Sequence, residues 1–302
     1  MSLLDEIAGH PPVRPLLLAL LLGTAGLSPA PGQSPAPVTL VAVPWERLSN
    51  TDVGREGAQV LAIQPDKWRH AEMSGYILHF RRETEARKVA RELEANLQFV
   101  ARLLGKSLLP PARKPHAFVF EDQEDWHGFL NVSGAPDWSG SLAIGEDLYL
   151  NVRNDPGTNR FRYGTLAHEA THAAVARLYP DRRWPTWLNE GFAEYVAAAG
   201  VADRKNQSVR RHQGTLTSAT LTFAELEAIR KYPENPVEVV RLYESSERLV
   251  RFLFSEFPPE RFPQFVDAML DGLGLEASLW RCYGDRFKDW DSLLRRYEQP
   301  TR

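Results

Sequence analysis

Cysteine is almost missing from this chain: Cys282 is the single one in 302 residues. That excludes a disulfide framework and any cysteine-rich zinc site. A metal, if one is held, falls to histidine and carboxylate. A basic surplus is missing as well. Lysine and arginine number 36 against 39 acidic residues, a formal net charge of -3, so the charge excess of a nucleic-acid binder is lacking and no such partner is expected. Low-complexity composition is also absent. Hydrophobic residues are 43% and charged residues 25%, which is a globular balance and excludes a disordered, collagen-like or coiled-coil chain. After Leu27 no apolar run approaches the roughly 20 residues that a membrane-spanning helix needs.

The one long apolar run lies near the start, from Leu16 to Leu27, with Arg14 before it and Ser28-Pro29-Ala30-Pro31-Gly32 after it. A positive flank, an apolar run of about 7–15 residues and a small-residue exit describe a secretory signal peptide. Residues 1–38 are therefore read as a signal peptide and a Pro/Ala-rich linker. The expectation is a protein exported to the periplasm or beyond the cell, with a membrane contact only if the apolar segment stays uncleaved.

Beyond that segment the pattern is strands first and helices afterwards. Tyr76, Leu78 and Phe80 alternate with Ile77 and His79, the period of a strand. Ala86, Val89, Ala90, Leu93, Leu97, Val100, Ala101 and Leu104 fall on one stripe of a helix over 83–104, and Gly105 is its stop. Ala117–Phe120 reads as a short buried strand. Residues 141–145 and 147–152 read as two strands joined by a tight Gly145-Glu146 turn. Helices are expected at 164–178, 186–199, 223–231, 236–257, 260–271 and 287–298. This order predicts an α+β fold. Residues 39–160 would form an N-terminal α/β part, a small sheet with a long helix. Residues 161–302 would form a helical part, with a cleft between the two.

The chemistry concentrates at His168-Glu169-Ala170-Thr171-His172, an H-E-x-x-H string. One turn of helix puts His168 and His172 about 40° apart, so two imidazoles point at one ion. Glu169 is turned about 100° from His168 and reaches toward a water rather than the ion. Catalytic zinc takes three protein ligands and leaves a fourth position open. A third histidine of the kind that follows such a string in H-E-x-x-H-x-x-G-x-x-H sites is absent, because Val175 and Leu178 stand at the Gly and His positions. A glutamate on a following helix is the other source. Pro185-Thr186-Trp187-Leu188-Asn189-Glu190-Gly191-Phe192-Ala193-Glu194-Tyr195 supplies Glu190, with Glu194 one turn further along the same face. Glu190 is the expected third ligand. Glu194 is placed to accept the free N–H of a ligating histidine, the kind of outer partner that fixes a ligand's tautomer.

These strings together resemble the gluzincin metallopeptidases, and Trp187–Ala193 is similar to the aminopeptidase-type members. Seventeen residues separate His172 from Glu190, one fewer than is usual there, and no Gly-x-Met-Glu-Asn string precedes the first helix. Size and element order look more like the bacterial peptidase-MA-like proteins. The resemblance is specific over about 160–200 and looser to about 255. It implies a zincin-like fold, one Zn2+ per chain, and a tyrosine that steadies the oxyanion. Tyr243, in the Tyr243-Glu244 pair that opens a later helical stretch, matches that position. His212 is a rival donor, in the charged stretch Arg204–His212 that reads as surface.

The expected function is a zinc-dependent metallopeptidase that hydrolyses peptide bonds of a peptide or protein substrate through a metal-activated water, with Glu169 as general base. Two alternatives stand beside it: a zinc hydrolase of cell-wall amides, and a catalytically silent peptide-binding module on the same fold. The strand 147–152 is expected to offer an edge to an extended peptide.

Overall fold

His116-Ala117-Phe118-Val119-Phe120 carries no acidic or cationic break, as expected of a strand buried on both faces. In the computed structural model, which describes residues 40–111, 113–133, 140–152, 163–204 and 220–298, this run is β3 (His116–Phe120), the middle strand of a five-stranded sheet. Before it come α1 (Gly54–Ala62), β1 (Arg69–Glu72), β2 (Ile77–Phe80) and α2 (Glu83–Leu103). After it come α3 (Gln123–Ser133), β4 (Ser141–Ile144) and β5 (Asp147–Asn151). The order across the sheet is β1-β2-β3-β5-β4. β2, β3 and β5 are mutually parallel, while β1 and β4 pair antiparallel at the two edges.

The remaining described elements are helices: α4 (Tyr163–Leu178), α5 (Thr186–Arg204), α6 (Phe223–Ala228), α7 (Pro236–Glu256), α8 (Arg261–Leu270), α9 (Leu275–Tyr283) and α10 (Trp290–Glu298). The fold is mixed α+β, with an N-terminal sheet and a mainly helical C-terminal half. The expected helix over 83–104 is α2. It closes at Gly105, whose φ of +59° is the left-handed turn that glycine adopts without strain. Gly145, at φ +62°, makes the expected tight turn between β4 and β5.

The alternation along each strand divides the core in two. Ala117, Val119, Leu148 and Leu150 face the larger cluster, built with Val89, Leu93 and Leu97 of α2 and with Ala170, Ala174, Trp187 and Phe192 of α4 and α5. Phe118, Phe120 and Tyr149 face a smaller one with Val60, Trp126 and Phe129 of α1 and α3. The sheet therefore carries helices on both faces, and the large cluster joins it to the helical half.

Two expectations change here. β5 lies between β3 and β4, so the strand 147–152 is internal and β4 is the edge. Both strands alternate equally well, and only the parallel pairing of β5 with β3 decides which one is covered. The localisation expectation is also corrected. Among the described residues no helix is long and apolar enough to cross a membrane. The longest helices, α2 and α7 at 21 residues each, carry their apolar residues on one stripe and charges elsewhere. The expectation of a membrane-held chain is withdrawn with it. The segment 1–38 that prompted it lies outside the described residues, as does His212.

On the α1–α3 face of the sheet, three histidines form a hydrogen-bonded row. His70 Nδ1 lies 2.8 Å from His79 Nδ1, His79 Nε2 lies 2.8 Å from His116 Nδ1, and His116 Nε2 lies 2.9 Å from the Asn50 side-chain amide. His79 and His116 are wholly buried. Burial, then the neighbouring imidazoles, pushes His79 well below the usual range. Burial and Arg113 push His116 down to about 4, against Asp52, and burial lowers His70 against Glu46. The unfolded chain therefore takes up protons below pH 6.5 that the native one refuses until about pH 4. The row's contribution to stability is full above that window and is lost as the pH falls through it, by up to about 1.4 kcal/mol per pH unit for each histidine kept neutral. Urea midpoints taken from pH 6.5 to pH 5 are expected to fall. A flat profile would mean that these rings titrate normally in the native state.

Candidate metal centre

Helix α4 is slim on its inner face. Ala167, Ala170, Ala173 and Ala174 are all buried, which lets the backbone come close to its neighbours α2 and α5. Asn96 of α2 fixes its height. The Asn96 side-chain amide donates to Ala167 O at 3.1 Å and to Thr171 Oγ1 at 3.3 Å, the residues directly before His168 and His172. Thr171 Oγ1 in turn donates to Ala167 O at 2.7 Å. Helix α5 follows after the break at Tyr179–Pro185 and lays Glu190 across from that turn. Gly191 is needed at the next position: a Cβ there would collide with the backbone of Ser246 in α7. That close approach puts Tyr243, one turn earlier on α7, over the same site.

Three donor atoms converge. His168 Nε2 and His172 Nε2 are 3.0 Å apart, and Glu190 Oε2 lies 3.3 Å from the first and 3.5 Å from the second. Among the described residues these three form the one cluster of metal-ligand side chains. Glu190 is 2% exposed, and its Oε2 is buried with no hydrogen-bond partner. An ionised carboxylate in that state costs several kcal/mol unless a cation meets it. A tetrahedral zinc with bonds of about 2.0 Å has ligand atoms about 3.3 Å apart, which matches the triangle. The donor set of two imidazoles and one carboxylate also suits zinc. A His-His-Glu triad able to coordinate a metal ion is thus present, and it is consistent with a zincin-type metalloenzyme.

The surrounding groups are arranged about this triangle. Glu194 Oε1 lies 3.0 Å from His168 Nδ1, somewhat off the line of the ring N–H. The Tyr243 ring stacks on His168 at 5.9 Å between centroids. Glu169 is partly buried and lies close to both histidines, on the helix that packs against the edge strand β4. The structure therefore brings His168, Glu169, His172, Glu190, Glu194 and Tyr243 to one place.

The electrostatics follow from this packing. Burial alone would raise the Glu190 carboxyl, but the two histidines that face it outweigh burial and hold the carboxyl well below the usual range. Burial lowers His168, yet Glu190 and Glu194 raise it to about 10. Burial pushes the Glu169 carboxyl up, against the pull of His168 and His172. Two residues of the site escaped the sequence reading. Asn96 was legible in principle, as a polar residue on the buried stripe of α2. Tyr232, whose hydroxyl donates to Glu190 Oε1, lies in a polar connection and had no pattern to show it.

No family model and no curated protein matches the chain.

Proposed function

We propose that this chain is a zinc-dependent peptidase of the gluzincin type, similar to the bacterial peptidase-MA-like proteins, acting on a peptide or protein substrate. The observation that carries the proposal is the triangle of His168 Nε2, His172 Nε2 and Glu190 Oε2, at 3.0–3.5 Å, with Glu169 beside it on the same helix. Zinc bound there supplies Lewis acidity, lowering the pKa of a water toward neutrality and drawing charge from a carbonyl oxygen.

The chain's own residues have separate tasks. His168, His172 and Glu190 hold the ion. Glu194 orients the His168 ring from its Nδ1 side. Glu169 takes the proton from the attacking water and delivers it to the leaving nitrogen. The Tyr243 hydroxyl is the donor for the negative charge that grows on the carbonyl oxygen. β4 is the sheet edge nearest these groups. Its backbone can pair with an extended peptide and carry the scissile bond to Glu169. A peptide substrate is favoured by that juxtaposition of an edge strand and a base. Residues 39–160 and 161–302 are the two parts of one catalytic domain on this reading.

The test is metal analysis of the purified chain together with hydrolysis of a mixed peptide library before and after chelation. About one zinc per chain is expected, with cleavage that chelator abolishes and zinc restores. Full zinc content without cleavage of any peptide would point to a silent binding module. Cleavage of wall fragments but not of unfolded proteins would point to a cell-wall amidase.

A further inference from the structure

The two oxygens of Glu190 have different surroundings. Oε2 is unpartnered and faces the imidazole nitrogens. Oε1 accepts the hydroxyl of Tyr232. Tyr232 belongs to neither helix of the site. It stands in the connection 229–235 between α6 and α7, beside Tyr243, with ring centroids 6.5 Å apart. The residue is 51% exposed, while its hydroxyl meets buried Glu190. A tyrosine kept for packing buries its ring and finds its hydroxyl a convenient partner. This one leaves about half of its surface in solvent and commits its hydroxyl to a buried carboxylate.

The connection is anchored at its α7 end. Asn235 caps α7, its side chain accepting the Val237 N–H at 2.9 Å, and Pro236 is the first helical residue. Pro233 follows Tyr232 directly. Proline fixes its own φ and restricts the residue before it. The hydroxyl is therefore delivered to Glu190 from a defined direction.

A carboxylate can meet a cation through one oxygen or two. The single-oxygen mode keeps four-coordinate zinc with one position open, and the two-oxygen mode raises the coordination number. A donor on Oε1 takes one of the two lone pairs that the second mode would draw on, and it resists rotation of the carboxylate. We propose that Tyr232 is a positioning residue that sets Glu190 as a single-oxygen metal ligand and so keeps the fourth position free. The proposal rests on the metal-site reading above. By linkage, an ion that fixes Glu190 also fixes Tyr232, so metal binding should order the 229–235 connection.

Tyr232→Phe tests this without disturbing the core, because the ring stays and the residue belongs to neither core cluster. Zinc affinity is measured by competition with a chromophoric chelator, and geometry by the visible absorption of the Co2+-loaded protein. The expected result is zinc binding weakened about 10–100-fold, the range for losing a ligand's outer partner. The cobalt band should also weaken toward that of a five-coordinate ion, with unchanged circular dichroism. Zinc should slow amide exchange over 229–235 in the native protein and not in the variant. Unchanged affinity together with an unchanged cobalt spectrum would overturn the proposal while leaving the metal site standing. The same spectral change in Tyr243→Phe, and none in Tyr232→Phe, would give the role to Tyr243 instead. A native chain that takes up neither ion would overturn the metal-site reading and this proposal with it.

Discussion

His168→Ala is expected to strip the chain of stoichiometric zinc. His168 Nε2 is one corner of the three-atom triangle, and its Nδ1 faces Glu194. Alanine removes the donor and leaves one imidazole and one carboxylate, which do not close a zinc site. The loss should exceed the about 10–100-fold that follows from removing an outer partner alone. The helix should survive, because alanine is the best helix former and α4 is already rich in it. Buried Glu190 then loses part of its cationic company, so a lower melting temperature is expected even without metal. The decisive readout is metal content after gel filtration. Saturating zinc is expected to raise the melting temperature of the native chain by mass action, with about 4 kcal/mol of stabilisation at a thousandfold excess over Kd, and to leave the variant's unmoved. A variant that keeps full occupancy would place the ion somewhere other than this triangle.

The site was largely legible because helical spacing is a local property. His168, Glu169 and His172 stand within one turn, and Glu190 and Glu194 within another, so the faces follow from residue numbers alone. What the spacing could not supply is the distance between the two helices. Gly191 resolves part of that, since its missing Cβ is what lets α5 and α7 touch at Ser246. In isolation it reads only as a weak point in a helix. Tyr232 was illegible for the opposite reason. It reaches Glu190 from 42 residues away through a connection with no periodicity, and nothing in Lys231-Tyr232-Pro233-Glu234-Asn235 marks a side chain as turned inward.

The fold shows the same division. The stripe of α2 and the alternation of β3 and β5 are visible as patterns, and both become core. β1 is Arg69-His70-Ala71-Glu72, with one buried residue, and α1 is a polar surface helix with a glycine at each end of its first turn. Neither carries enough apolar signal to be read before its partners are known. Helix α9 is absent from the expected helices, and it follows directly on Gly272 and Gly274, a residue type that suits helix ends better than interiors. Gly274 in fact starts the next helix, where Glu227 accepts the Leu275 N–H at 2.9 Å. Sheet order is the least local property of all. That β4 rather than β5 is exposed depends on which strand pairs with β3, and this single fact moves the candidate peptide-binding edge next to Glu169.

Glu169→Gln should leave the metal in place and lower turnover by about 10²–10⁴-fold, the usual worth of a positioned proton-transfer group. Glutamine has nearly the same shape. It fills the same partly buried space on the helix face that packs against β4, so the geometry of α4 and of the edge strand has no reason to change. Glu169 is also not one of the three converging donors, so zinc content should be unaltered. What the amide cannot do is take a proton from water and return it to a leaving nitrogen. The two readouts separate the roles. A fall in kcat with full zinc and little change in KM assigns proton transfer to Glu169. A fall in zinc content would make it part of the ion's support instead. An unchanged kcat would remove it from the reaction, and the ascending limb of the pH–rate profile would then have to belong to another group near the triangle.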